Sequence, residues 1–305
     1  MKRLGYDVIG DIHGQFDKLV TLLGRLGYMS CGEGFRHPEG RRVIFLGDYI
    51  DRGPKVREVL VTVKAMVEGG VALAILGNHE YNAICYHTPD GAGGWLRARR
   101  EDRDRGLRVT LEQFVGREED WQRWLVWMRG LPLFLDLGEL RAVHACWDEG
   151  SIHHLAGMRL TNDAVLRASA QPGTALFYAV DSLLNGPEMD MPEGYFLHDD
   201  QGWMYNRVRV RWWDVPEVAR VGELALPVPF SDAGDATAEQ LRRLPNYGQQ
   251  EPPIFFGHYW LAADAVKAPL RDNVACLDFS AAYEGPLVAY RWDGERRLSA
   301  AKFVG

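Results

Sequence analysis

Residues 6–14 read Tyr6-Asp7-Val8-Ile9-Gly10-Asp11-Ile12-His13-Gly14, a short apolar run that passes through a glycine into polar side chains. The run at residues 6–9 predicts a buried β-strand. The glycine allows a sharp turn, so that the side chains after it can point towards a shared site. The same arrangement occurs twice more, where Arg42–Leu46 is followed by Gly47-Asp48 and Val71–Leu76 is followed by Gly77-Asn78.

Amphipathic segments separate these strands and also occur after them. Phe16–Leu26 and Pro54–Glu68 carry apolar side chains at the three- and four-residue spacing that is typical of helices. Thr110 and Gln113 have the spacing of a capping box, which predicts one helix from Thr110 through about Met128. Strands that alternate with helices indicate parallel βαβ units, and ligands in such sheets bind beyond the carboxyl ends of the strands. The sequence therefore predicts an α/β protein with a polar site at that edge.

Two later strands also end at histidines. Arg141–Val143 predicts a strand that ends directly before His144, and Ile254–Phe256 predicts one that ends before Gly257-His258. Between them, residues 150–251 are irregular and rich in proline, glycine and tryptophan. We interpret this segment as an insertion that walls the site.

Composition narrows the class of protein. The chain has 305 residues, of which 47% are hydrophobic and 25% charged, as in ordinary globular domains. Its net charge of −7 argues against a nucleic-acid-binding module, which needs a basic surface. The four cysteines are widely spaced and contain no CxxC pair, which predicts reduced thiols. No apolar run approaches a membrane span and the first residues lack a signal peptide, so we expect a cytoplasmic protein without a membrane partner.

Five motifs in chain order resemble those of a known family. They are Gly10-Asp11-Ile12-His13-Gly14, Gly47-Asp48-Tyr49-Ile50-Asp51-Arg52-Gly53, Gly77-Asn78-His79-Glu80, His144 after Ala142-Val143, and Gly257-His258. This set resembles the calcineurin-like metallophosphoesterase superfamily. Its second and third motifs are similar to the phosphoprotein phosphatase (PPP) branch, which includes serine/threonine protein phosphatases and bacterial symmetrical diadenosine tetraphosphate hydrolases. One such motif is weak evidence, whereas five in the family's order are strong evidence.

The resemblance implies an architecture and a metal centre. The fold would be the four-layer metallophosphatase α/β sandwich, with two mixed sheets flanked by helices. Residues 1–305 would form a single domain, with residues 150–251 as a substrate-facing cap within it. The centre would hold two divalent ions, manganese being the first expectation and iron, zinc and nickel the alternatives. By resemblance, the ligands are Asp11 and His13 for one ion, Asp48 for both ions, and Asn78, His144 and His258 for the other.

The same match implies three catalytic residues and a reaction. Arg52 would bind phosphate oxygens, because its planar fork fits them. His79 would protonate the leaving oxygen, with Asp51 orienting and charging the imidazole. Two ions about 3.5–4 Å apart can hold a bridging hydroxide and clamp the phosphoryl group that it attacks. The substrate would be phosphorylated: a phosphoserine or phosphothreonine protein or a small metabolite, with symmetrical dinucleoside polyphosphate cleavage or a non-catalytic metal-binding scaffold as alternatives.

Two departures from the PPP pattern affect substrate binding. After His144, members usually have Gly-Gly or Ala-Gly, whereas this chain has Ala145-Cys146-Trp147-Asp148, so Trp147 becomes a candidate substrate contact. PPP enzymes also use a second arginine from the segment before the last histidine. Arg207, Arg209 and Arg211 alternate there and would share one face of a strand. We take Arg209 and Arg211 as candidates for substrate binding.

Overall fold

The computed structural model describes residues 5–99, 104–192, 194–198, 204–227, 229–230 and 234–305. Its strands are β1 (Tyr6–Ile9), β2 (Met29–Cys31), β3 (Gly34–Arg36), β4 (Arg42–Phe45), β5 (Ala72–Ala74), β6 (Phe134–Asp136), β7 (Arg141–Val143), β8 (Glu188–Asp190), β9 (Leu197–His198), β10 (Met204–Tyr205), β11 (Arg207–Arg209), β12 (Ile254–Phe256), β13 (Val274–Cys276), β14 (Ala289–Trp292) and β15 (Phe303–Val304). Its α-helices are α1 (Phe16–Arg25), α2 (Val56–Glu68), α3 (Asn78–His87), α4 (Arg105–Glu112), α5 (Glu118–Arg129), α6 (Glu149–His154), α7 (Asp163–Ser169), α8 (Ala175–Asn185), α9 (Val221–Leu224) and α10 (Ala238–Arg243). A 3₁₀ turn covers Ala300–Lys302.

Two mixed sheets form the centre of the molecule. The first has the strand order β15-β14-β1-β4-β5, with β1, β4 and β5 parallel and β14 antiparallel to β1. The second has the order β13-β12-β7-β6, with β13, β12 and β7 parallel and β6 antiparallel to β7. The parallel strands direct their carboxyl ends to common edges, which is where the predicted polar motifs begin.

Alternation along the strands produces four layers. In β1, Val8 packs between the two sheets, whereas Ile9 packs on the opposite face with the helices. Strand side chains point alternately to the two faces, so one buried run supplies both layers. Phe255 of β12 faces the first sheet, while Ile254 faces the outer layer of the second sheet. The predicted sandwich of two mixed sheets between helical layers is confirmed.

Helices cover the outer face of each sheet. In α1, the apolar side chains of Leu19, Leu22 and Leu23 share one buried face against the first sheet. Leu183 and Leu184 of α8 pack in the same way on the second sheet. Burying each such side chain contributes about 1.5–3 kcal/mol to the free energy of folding. Within the described residues, no helix combines the length and the apolar character that crossing a membrane would require.

The helix predicted from Thr110 through Met128 is wrong. The structure has two helices there, α4 and α5, separated by a turn in which Gly116 has φ +72°. Thr110 lies inside α4, where its hydroxyl bonds to Asp51 instead of capping a helix. The side-chain oxygen of Gln113 accepts a hydrogen bond from the N–H of Val56. The two residues have the spacing of a capping box, but both side chains make tertiary contacts.

Residues 150–251 are more regular than predicted. Helix α8 lies within them and belongs to the outer layer of the second sheet, with α6 and α7 packed beside it. The later part contains a separate small core around Val208, Val210 and Leu224. Within the described residues, this later part comes nearer to the irregular structure that the composition predicted. Its function as a cap stays a prediction.

Candidate active site

The chain segment after β1 supplies two of the predicted ligands. Asp11 is 1% exposed, and its Oδ2 accepts a hydrogen bond from the N–H of His258 at 2.9 Å. Its Oδ1 is buried and has no hydrogen-bond partner among the described residues. The His13 ring lies with Nδ1 2.9 Å from the carbonyl oxygen of Ile50. If Nδ1 carries the proton, the Nε2 lone pair of His13 faces the site.

Asp48 lies at the centre of the cluster. Its Oδ2 is 3.5 Å from Nε2 of His13, and its Oδ1 is 3.4 Å from Nε2 of His144. Two sets of side chains have ligand atoms within 4.8 Å of one another: His13, Asp48 and His79, and Asp11, Asp48 and His144. Asp48 belongs to both sets, which is the position that a ligand shared between two ions needs.

Asn78, His144 and His258 meet on the other side of Asp48. Nε2 of His144 and Nδ1 of His258 lie 2.9 and 3.3 Å from Oδ1 of Asn78. Nδ1 of His144 is 2.8 Å from the carbonyl oxygen of Leu46. With a proton on that nitrogen, Nε2 of His144 would be free to bind a metal ion. Nε2 of His258 is buried without a hydrogen-bond partner among the described residues.

The glycines of the motifs are needed mainly for close approach. A Cβ atom on Gly257 would lie 1.8 Å from Oδ1 of Asp11, and one on Gly77 would lie 2.2 Å from Oδ1 of Asp48. Gly47, with φ +96°, also requires the left-handed region. Six residues of the site other than glycine have positive φ: His13, Asp48, Asp51, Arg52, His258 and Trp260. Strain of this kind costs about 1–3 kcal/mol per residue and is concentrated at functional sites.

The electrostatics of the cluster suit a cation. Burial, and then the carboxylate of Asp278, raises the pKa of Asp11 well above its ordinary value. Burial and the charge of Arg52 lower the pKa of His13, and burial and the charge of Arg209 lower that of His258. Both shifts favour the neutral imidazole, the form in which histidine binds metal. At His144 the effect of burial is outweighed by the carboxylate of Asp48, which raises the pKa of that imidazole to about 10. Carboxylate, amide and imidazole donors together suit manganese, iron or zinc.

Asp51, Arg52 and His79 lie beside this cluster. Nδ1 of His79 is 2.5 Å from Oδ2 of Asp51, and the other carboxylate oxygen accepts a hydrogen bond from the Thr110 hydroxyl at 2.7 Å. The Arg52 guanidinium spans two histidines, with Nη1 3.1 Å from Nε2 of His13 and Nη2 3.3 Å from Nε2 of His79. The structure thus brings the three predicted catalytic residues together, next to the predicted ligands.

The arginines and the tryptophan considered as substrate contacts lie in different surroundings. Arg209 reaches the site, where its Nη1 donates to the carbonyl of His258 at 3.4 Å. Arg211 instead donates its backbone N–H to Leu224, and its Nε is buried without a partner among the described residues. Arg207 pairs with two carboxylates of β8. Trp147 is 2% exposed and packs in the core against Phe134, a position that does not suit the predicted substrate contact.

Three supporting residues were not identified from the sequence. Glu80 is fully buried and accepts hydrogen bonds from the N–H groups of Gly77, Asp48, Tyr49 and Ile50. Asp278 is 2% exposed and accepts the N–H groups of Trp260 and Ser280. Thr110 holds Asp51. Glu80 could have been recognised, because it stands third in α3 directly after His79. No local pattern marks Asp278, and the capping-box spacing of Thr110 indicated a different role.

Curated relatives match only a short part of the chain. The asymmetrical bis(5'-nucleosyl)-tetraphosphatase PrpE of Halalkalibacterium halodurans is 43% identical over 74 residues, which is 24% of this chain and 30% of the relative. The Bacillus subtilis protein of the same name is 42% identical over 76 residues, 25% of this chain and 31% of the relative. The matched region thus spans less than a third of each relative.

Solved structures are similar over nearly the whole chain but at low identity. A cold-active protein-tyrosine phosphatase of Shewanella has a TM-score of 0.47 at 19% identity, covering 97% of this chain and 80% of the other. A putative diadenosine tetraphosphatase has a TM-score of 0.42 at 13% identity, covering 94% and 88%. The sequence model of the calcineurin-like phosphoesterases matches residues 6–164, more than half of the chain. This chain belongs to the calcineurin-like phosphoesterase family.

Proposed function

We propose that the protein is a metal-dependent phosphoesterase that hydrolyses phosphomonoesters, either phosphoserine and phosphothreonine in proteins or a small phosphorylated metabolite. The observation that carries the proposal is the convergence of six ligand-type side chains beside Asp51, Arg52 and His79. Among the atoms that could bind metal, Oδ1 of Asp11 is buried without a partner among the described residues. Such atoms are costly to bury unless a bound group satisfies them.

The ligand set of the proposal is the one that the family resemblance implies. Asp11, His13, Asp48, Asn78, His144 and His258 would hold two divalent ions. When bound, such ions provide Lewis acidity and a nucleophile at neutral pH. Of the candidate metals, we propose manganese as the first to test.

The remaining residues act on the substrate. Arg52 and Arg209 would bind the oxygens of the phosphate group, since both guanidinium groups contact histidines of the cluster and the half-exposed Trp260. His79 would deliver a proton from Nε2 to the oxygen of the departing alcohol. Asp51 would orient the imidazole through its contact with Nδ1. The products are the alcohol and inorganic phosphate.

A second candidate is hydrolysis of dinucleoside tetraphosphates. The relatives named above are asymmetrical bis(5'-nucleosyl)-tetraphosphatases, which favours this class as the alternative. The sequence suggested symmetrical cleavage, and the two outcomes differ in their products. Asymmetrical hydrolysis of diadenosine tetraphosphate gives ATP and AMP, whereas symmetrical hydrolysis gives two molecules of ADP.

A substrate screen on metal-loaded protein tests both candidates. We expect hydrolysis of p-nitrophenyl phosphate and phosphoserine peptides with Mn²⁺, and loss of that hydrolysis after chelation. Faster turnover of diadenosine tetraphosphate, with products resolved by chromatography, would move the second candidate to first place. If metal-loaded protein hydrolyses no phosphoester at any pH, the enzymatic proposal is wrong and a non-catalytic metal-binding scaffold replaces it.

A further inference from the structure

The indole ring of Trp260 lies beside both arginines of the site. The Cζ atom of Arg52 is 4.4 Å from the ring centroid, and the Cζ atom of Arg209 is 5.5 Å from it. A guanidinium group within about 6 Å of a tryptophan ring is attracted by its electron-rich face. One ring therefore contacts two cations that come from distant segments of the chain.

The backbone of Trp260 is held by its own contact with the buried Asp278. Trp260 has φ +50°, in the left-handed region that bulky residues rarely adopt. Its N–H donates to Oδ2 of the buried Asp278 at 2.8 Å. Two residues earlier, His258 accepts a hydrogen bond from Arg209 on its carbonyl oxygen. The indole is thus held between a predicted metal ligand and the two arginines.

Burial in the core does not explain why residue 260 is a tryptophan. Trp260 is 38% exposed, so a large apolar side chain stays in contact with solvent at the rim of the site. Two neighbouring guanidinium groups repel each other, and a carboxylate placed between them would compete with a phosphate for their N–H groups. An aromatic face attracts both cations without carrying a negative charge.

We propose that Trp260 is a positioning residue that holds Arg52 and Arg209 so that both face one phosphate group. This rests on the proposed function, which gives the two arginines their role. Tyr283, whose ring centroid is 6.2 Å from that of Trp260, extends the aromatic surface on the Arg52 side. Trp260 itself would not touch the reacting atoms.

Substituting the ring tests the proposal on metal-loaded protein. Trp260→Leu keeps an apolar side chain but removes the aromatic face. We expect it to raise the KM for p-nitrophenyl phosphate and the Kd for inorganic phosphate roughly tenfold. The value of kcat should change much less, because binding lost equally from ground state and transition state appears in KM. Trp260→Phe should restore most of the affinity.

Trp95 offers a matched control. It is 37% exposed, and its ring centroid lies 3.5 Å from Cζ of Arg99. Its exposure and its cation contact are therefore similar to those of Trp260. Trp95→Leu should leave phosphate affinity unchanged. The proposal is overturned if Trp260→Leu binds phosphate as tightly as the wild type, or if Trp260→Phe is as weak as Trp260→Leu.

Two measurements keep the outcomes separable. Inorganic phosphate binding is followed by calorimetry and needs no turnover, so absent hydrolysis by the wild type would reject the proposed function and leave this test in place. If Trp260→Leu does not fold, as judged by its thermal unfolding, the phosphate affinity of Trp260→Phe is compared with that of the wild type instead. A loss of affinity of about threefold is then expected, because phenylalanine is the weaker cation partner, and equal affinity contradicts the proposal.

Discussion

His79 has two ring nitrogens with different neighbours, which is what a proton donor at this site needs. Nδ1 contacts Asp51 at 2.5 Å, while Nε2 lies on the side of Arg52 and the metal cluster. The sequence placed His79 in a catalytic role by resemblance alone. The geometry also lets His79 join His13 and Asp48 as a ligand group, so metal content has to be measured with activity.

Replacing His79 should therefore affect substrates unequally. For a phosphoserine peptide, whose alcohol leaves only with a proton, we expect His79→Asn to lower kcat by roughly 10²–10⁴-fold. For p-nitrophenyl phosphate the loss should be smaller, because p-nitrophenolate leaves readily without a proton. Steady-state kinetics on both substrates, with elemental analysis of the protein, check this. Equal losses of kcat on the two substrates would contradict the role of His79 as the general acid. Loss of a metal ion from the variant would instead identify His79 as a metal ligand.

Thr110 supports the same histidine through Asp51. Its hydroxyl donates to Oδ1 of Asp51 at 2.7 Å and accepts the Asp51 N–H at 2.9 Å. Thr110→Val removes both hydrogen bonds at constant volume and should destabilise the fold by about 1–3 kcal/mol. It should also lower kcat, because Asp51 loses its orientation. Thr110→Ser keeps the hydroxyl and should stay close to wild type in urea unfolding and in kinetics, and equal behaviour of the two variants would argue against this role.

The contrast between these residues shows what the sequence contains at this scale. Asp11, Asp48 and Asn78 each follow a recognisable strand, so their convergence could be predicted from the rule for parallel sheets. The local pattern at Thr110 indicated a helix start, and Asp278 comes from a segment with no special local pattern. Their roles depend on which distant backbone they meet, and local periodicity carries no such information.

At the scale of elements, the first turn of α3 and the loop after β4 are joined by one buried carboxylate. Glu80 accepts the N–H groups of Gly77, Asp48, Tyr49 and Ile50 at 2.7–3.1 Å. Asp48 has φ +52°, so its loop is strained and needs an external partner. The carboxylate of Glu80 is that partner.

Glu80→Gln should therefore weaken the loop strongly. The amide keeps one acceptor oxygen but turns an NH₂ group towards backbone N–H groups, leaving buried donors unpaired. We expect a loss of about 3 kcal/mol in the free energy of unfolding, measured by urea denaturation. Glu58→Gln, at an exposed position of α2, should change it by less than about 0.5 kcal/mol. A Glu80→Gln protein as stable as this control would contradict the assigned role.

Element boundaries illustrate a further limit of local reasoning. β1, β7 and β12 lie where the apolar runs predicted them, because these strands are buried on both faces. The helix predicted through Thr110 and Met128 is two helices, because the side chains that suggested its start bind elsewhere. The helices within residues 150–251 were missed, since proline and glycine between them hid their short apolar faces.

The pairing of the chain ends emerges only in the whole molecule. Tyr6 of β1 lies opposite Trp292 of β14, so the last part of the chain completes the sheet that the first part begins. Such a long-range pairing leaves no local signal. The family resemblance implied two mixed sheets, but the order of their strands could not be read from the sequence.

The metal ions should stabilise the whole fold. The carboxylates of Asp11, Asp48 and Asp278 are buried together, and a ligand that binds only the native state adds to its stability. At a Mn²⁺ concentration of 100 times Kd the gain is about 2.7 kcal/mol for each bound ion, which for a chain of this length corresponds to roughly 4 °C in Tm per ion. Calorimetry of chelated and reloaded protein measures it. Asp48→Asn should show little of this gain, and a wild-type Tm that does not respond to metal would contradict the expectation.

The claim on which everything else depends is that Asp11, His13, Asp48, Asn78, His144 and His258 together bind two ions. The metal content of each chain, measured by elemental analysis after Mn²⁺ loading and gel filtration, tests it most directly. We predict about two ions per wild-type chain and a clear deficit in Asp48→Asn, whose carboxylate belongs to both ligand sets. A wild-type protein that retains no metal above background would contradict the account.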